Sequence, residues 1–100
     1  MHKGLMWKLQ AFRNLIGRPV VIHCGYEDRP GYHGMKMAAD FHVAGHYDYW
    51  RQLEMLIGVG FKGIGWYPRW HHPGWHVDVR EHLLIWRRDN GNYDYFVRML

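Results

Sequence analysis

Two stretches of this chain keep a helical period, and most other apolar runs are short and bounded by glycine, proline or an Asn-Gly pair. Leu5, Met6, Leu9, Phe12, Leu15 and Ile16 recur at three- and four-residue steps, the spacing of one helical face, and Gly17 and Pro19 close that segment. Within residues 47–57, Tyr49, Trp50, Leu53, Leu56 and Ile57 share a second such face, with Gly58 and Gly60 beyond its end. Val20-Val21-Ile22 is a continuous β-branched run and predicts a buried strand. Residues 35–43, 62–67, 75–79, 83–87 and 93–97 are further strand candidates, and residues 25–34, with Glu27, Asp28, Arg29 and Pro30, form a loop. Asp89-Asn90-Gly91-Asn92 supplies the positive φ angles of a tight turn, so the last two strands should pair as a hairpin. These elements predict a small single α+β domain over residues 1–100, with a central, mostly antiparallel sheet and two main helices.

Composition agrees with one such unit. Hydrophobic residues make up 48% and charged residues 22% of the 100, enough for one core and too little charge for a disordered tail. Lys and Arg number 13 against 9 Asp and Glu, but they are scattered. With no recognition helix, glycine-rich phosphate loop or basic stripe, no nucleic-acid partner is expected. Cys24 is the single cysteine and cannot form an internal disulfide; no activating pair is evident, so it reads as a small buried residue. No run reaches the ~18–20 apolar residues of a membrane span. The start, Met1-His2-Lys3-Gly4, leads into a segment broken by Lys8, Gln10 and Arg13, which predicts synthesis in the cytosol without a signal peptide.

Histidine is the unusual count, at 9 in 100 residues, and imidazole is both the commonest metal ligand and a proton shuttle. Three segments stand out: Gly31-Tyr32-His33-Gly34-Met35-Lys36-Met37-Ala38-Ala39-Asp40, Gly63-Ile64-Gly65-Trp66-Tyr67-Pro68, and Trp75-His76-Val77-Asp78-Val79-Arg80. Together, across residues 20–86, they resemble the zinc D-alanyl-D-alanine carboxypeptidases and related peptidoglycan peptidases. That family carries Ser-x-His-x-x-Gly-x-Ala-x-Asp followed by a later His in a His-x-Asp or Trp-His setting. The resemblance implies zinc held by His33, Asp40 and His76 on one side of the sheet, a peptidoglycan peptide as substrate, and a cell-wall role, as in a phage lysis system or virion. Ala38 also matches, and Gly25-Tyr26 stands where the family has Ser-Gly-Tyr-Arg. Gly31 replaces the family's Ser, Lys36 its Gly and Glu27 its Arg, which leaves Arg29 as the nearest residue to hold a substrate carboxylate. Pro73 stands where some members carry a catalytic Glu.

Two imidazoles and one carboxylate leave the fourth tetrahedral position open, the mark of a catalytic rather than a structural zinc site. His33 and Asp40 are separated by an odd step, so His33 should lie in the loop and Asp40 on a strand. His76 and Asp78 share a strand face, where Asp78 either takes a proton from the attacking water, orients a ligand, or pairs with Arg80 or Arg29. His71 and His72, in a loop bounded by Pro68 and Pro73, are candidate acids or transition-state donors. Trp66, Tyr67, Trp70 and Trp75 read first as packing, with a second role in lining a substrate groove, Tyr67 above all. His23, His42, His46 and His82 read as structural or exposed, with His42 next in line as a ligand because it shares a face with Asp40. The competing function is a zinc-stabilised cell-wall-binding or structural module that has lost the catalytic base. The sequence gives no oligomeric state.

Overall fold

The computed structural model describes residues 3–24 and 38–98. The elements run α1 (Lys3–Ile16), β1 (Val20–Cys24), β2 (Ala38–Val43), α2 (Tyr49–Gly58), β3 (Gly63–Tyr67), β4 (Gly74–Asp78), β5 (Leu84–Asp89) and β6 (Asn92–Arg98). The six strands form one sheet in the order β1-β2-β4-β3-β5-β6. Only β3 and β5 pair in parallel; β1–β2, β2–β4, β3–β4 and β5–β6 are antiparallel. This is the α+β architecture the periodicities predict. Among the described residues, no helix is long and apolar enough to cross a membrane.

Both helices lie on one face of the sheet. Leu5, Leu9 and Phe12 of α1 and Leu56 of α2 are buried in one cluster with Ala39, Phe41, Val43, Ile64, Trp75, Val77 and Ile85 from the strands. Strand residues alternate between faces, so Asp40, His42, Gly63, Gly65, Tyr67, His76, Asp78, Trp86 and Arg88 belong to the opposite face, away from α1 and α2. The hydrophobic alternation therefore puts the chemistry-bearing residues on the side away from α1 and α2.

Two expectations need correcting. The β-branched run at Val20 does not make a buried strand, because β1 is at the sheet's edge with Val21 42% and Ile22 43% exposed. The face of α2 is also rotated from the one its apolar residues suggest: Trp50 is 78% exposed, whereas Gln52 is 1% exposed. Gln52 can be interior because its amide is saturated. Its Nε2 lies 2.8 Å from His46 Nδ1 and 3.3 Å from the His46 carbonyl, and its Oε1 accepts a bond from Trp75 Nε1 at 2.8 Å. Asp48 caps the helix by accepting from the Arg51 amide at 3.1 Å. The hairpin turn is as expected, with Asn90 at φ 54 and Gly91 at φ 86.

Candidate functional site

The open face is organised around His76, at the centre of the sheet on β4. Its register partners are Asp40 on β2 and Gly65 on β3. The Nδ1 atom of His76 is 3.1 Å from Asp40 Oδ1, and its Nε2 atom is 2.8 Å from Asp78 Oδ2. Asp78 is fully buried and in turn accepts from Arg80, at 2.8 Å from Nε, 2.7 Å from Nη2 and 3.2 Å from the backbone amide. The result is a fixed chain, Asp40–His76–Asp78–Arg80, whose inner end is locked by a two-pronged guanidinium–carboxylate pair.

Glycines make this face flat enough for the chain to form. A Cβ at Gly63 would overlap the Asp78 carboxylate, and one at Gly65 would overlap the Trp86 indole. The Gly-Ile-Gly segment is therefore the floor under Asp78 and Trp86. Trp86 packs against His76, with ring centroids 5.4 Å apart, lies beneath the Arg80 guanidinium at 5.1 Å, and donates from Nε1 to the Tyr67 hydroxyl at 3.1 Å.

The protonation of the chain follows from its geometry. Burial lowers the pKa of the His76 imidazole, but hydrogen bonds to Asp40 and Asp78 outweigh it and the net shift is upward. Burial pushes the Asp78 carboxyl up, yet its bonds to His76 and Arg80 bring it down to about 2. Carboxylates on both ring nitrogens favour the doubly protonated form of the metal-free imidazole. A cation at Nδ1 would take the place of that proton.

Asp40 also lines a groove of ≈ 390 Å³ with His23, Trp70, His71 and His72. His23 Nε2 lies 2.5 Å from His42 Nδ1, and the His42 and His72 rings stack at 4.5 Å. The His23 imidazole is shifted down by burial, against Asp40 and with help from His72. That of His42 is shifted down by burial and by the neighbouring His23 and His72. His71 and His72 are exposed at the mouth of this groove. Trp70, which lines the other side, is backed by Tyr67, the two rings stacking at 4.5 Å and 10°.

Of the residues singled out in the sequence, Asp40 and Asp78 both contact His76, His71 and His72 border the groove that Asp40 lines, and Tyr67 stacks behind its Trp70. His33 and Arg29 lie outside the described residues. His23, read as structural, lines the groove, and His42, read as a reserve ligand, touches it. The period-two alternation that put His42 on the Asp40 face was legible, whereas His23 required knowing that β1 pairs with β2.

A tetrahedral zinc ion with bonds of about 2.0–2.1 Å spaces two ligand atoms about 3.3 Å apart. The 3.1 Å between Asp40 Oδ1 and His76 Nδ1 fits that span. Among the described residues, no group of three or more His, Cys, Asp or Glu is arranged to hold a metal ion. No protein-family model, curated protein or solved structure matches the chain.

Proposed function

We propose that the chain is a zinc-dependent peptidase hydrolysing amide bonds near D-amino acids in peptidoglycan stem peptides. The observation that carries this reading is the imidazole of His76, which has one nitrogen on Asp40 at 3.1 Å and the other on the buried Asp78 at 2.8 Å. A carboxylate behind a ligating histidine is the usual device for fixing its tautomer and raising its basicity toward a metal. The substrate class comes from the family resemblance.

In this reading Asp40 and His76 hold the ion, with His33 as the third ligand. When bound, zinc polarises a substrate carbonyl and lowers the pKa of its water to about 7. Asp78 orients His76, a role supported by its burial and by its bonds to Arg80, while proton transfer falls to His71 or His72 at the groove mouth. Trp70, backed by Tyr67, forms one side of the groove. Arg29 is the candidate for a substrate carboxylate next to the scissile bond.

Elemental analysis of the purified protein should find about one zinc per chain, and purified muropeptides should release D-alanine or a cross-link fragment in a metal-dependent way. His76→Ala should lose both. The second reading, a zinc-stabilised binding module, is favoured by Pro73 at the position of the family's catalytic Glu. A full complement of zinc with no cleavage of any muropeptide selects it, and absence of zinc removes both readings.

A further inference from the structure

The Tyr67–Trp70 stack divides the open face, and Trp70 borders a cavity on each side. Opposite the histidine groove is one of ≈ 350 Å³ lined by Tyr67, Arg69, Trp70, Arg88, Asn90 and Gly91. Asp89 serves two guanidiniums, accepting from Arg69 at 2.6 Å and from Arg87 at 3.0 Å. Arg88 alternates to the other side of β5. There its Nη1 donates to the Tyr93 hydroxyl at 2.5 Å, and its guanidinium lies 4.7 Å from the centre of the Tyr93 ring. Both contacts are with a neutral group, and among the described residues no carboxylate pairs with Arg88. Asp94, the acidic residue of β6, is in register with Arg87 rather than Arg88. Arg88 therefore brings a cation whose planar fork of donors suits a carboxylate into a concave site.

The register fixes how far this cation is from His76. Gly65 on β3 is the partner of both His76 on β4 and Trp86 on β5, and Arg88 is two residues beyond Trp86. Two strand spacings of about 4.8 Å and two residues of about 3.3 Å put the Cα atoms of His76 and Arg88 about 12 Å apart on one face. An extended peptide covers that span in about three to four residues, at about 3.3–3.6 Å each. Because the Arg88 guanidinium is turned onto Tyr93 of β6, away from β4, a carboxylate it holds lies at least that far from His76, beyond the terminal one beside the bond under attack.

We infer that Arg88 binds an internal carboxylate of the peptide substrate, the α-carboxylate left free by a γ-linked glutamate, three to four residue lengths from the scissile bond. The identity of the ligand rests on the peptidase reading above; the cationic site and its distance from His76 do not. The peptide lies across Trp70, with its amide near Asp40 and His76 and its acidic residue between Tyr67 and Asn90.

The probes are L-Ala-γ-D-Glu-L-Lys-D-Ala-D-Ala with the glutamate α-group as the free carboxylate or as the amide. They are titrated into the purified full chain while the Asn90 and Gly91 backbone amide signals are followed and the same samples are assayed for cleavage. The acid should bind about 10–100-fold more tightly than the amide, the value of a charge-assisted contact. Arg88→Gln should abolish that preference, Arg88→Lys should keep part of it, and Arg51→Gln, on α2, should leave it intact. Equal binding of the two probes, or a preference that survives Arg88→Gln in a folded variant, overturns the inference. Preferential binding of the acid without cleavage of either peptide overturns the peptidase reading and leaves the subsite standing. Cleavage with a KM for the acid unchanged by Arg88→Gln does the reverse.

Discussion

The ring of His76 has a carboxylate on each nitrogen. Asp78 is anchored from behind by Arg80 and from below by the bare Cα of Gly63, and Asp40 borders the groove. Asp78 is thereby placed to fix the orientation of the ring, and in the proposed reading Asp40 shares the outer nitrogen with an incoming ion. Asp78→Asn keeps the shape but loses the charge, and should weaken zinc affinity by about 10–100-fold, with activity recovered by added metal. A large fall in rate at saturating zinc would instead make Asp78 the proton acceptor. Gly63→Ala should be more damaging, since its Cβ overlaps the carboxylate itself; a loss of about 1–3 kcal/mol in urea unfolding is expected, together with weaker zinc binding. Asp78 also gives the metal-free chain an acid signature. Its carboxyl is held at about 2, below the ordinary value of ~3.9. Its contribution is complete above ~3.9 and is lost as the pH falls toward 2, an expected loss of about 2–3 kcal/mol that Asp78→Asn should lack when unfolding midpoints are compared across pH.

At the scale of elements, the β5–β6 hairpin carries both the Arg88 cavity and the outer edge of the sheet, so its turn bears on the proposed subsite. Gly91 has φ 86, and Gly91→Ala should cost about 1 kcal/mol or more by forcing a side chain into that region, read as a lower thermal midpoint. The turn was legible because Asn-Gly has few other uses. The two helices were legible from their period, and Gly17 at φ 67 ends the first where the sequence puts its end. The burial of β1 was not legible, because a β-branched run is the same string in a central strand and in an edge strand; only the strand order distinguishes them. Gln52 was missed for a related reason: a pattern that counts apolar residues cannot see a polar one made interior by bonds to His46 and Trp75, which are distant in sequence. Within the site, the Asp40 and His76 pair was suggested by motif and the Asp78 contact by period two, whereas the glycine floor and the approach of His23 depend on register between strands.

For the whole molecule, two helices lie on one face and the polar chain on the other, and His76 sits at the middle of the sheet between them. Ion binding at Asp40 and His76 would tie β2 to β4 at the middle of that sheet, so metal and global stability should be linked. Chelation should lower the melting temperature, and an unchanged melt after confirmed metal removal would count against any structural part for zinc. The dependence on pH gives the sharper test. In the metal-free chain the His76 pKa is raised above the ordinary ~6.5. Its favourable contribution is therefore complete below ~6.5 and disappears as the pH rises through the higher folded value, because the neutral ring can no longer donate to both carboxylates. The zinc-loaded chain should lack this loss, since the ion replaces the outer proton and binds better as protons become scarce. The gap between zinc-loaded and chelated melting temperatures should accordingly widen from pH 6 to pH 9, and His76→Ala should close it at every pH. A gap that stays constant across that range would mean that the ion does not compete with the proton on His76, and would move the metal to another set of residues.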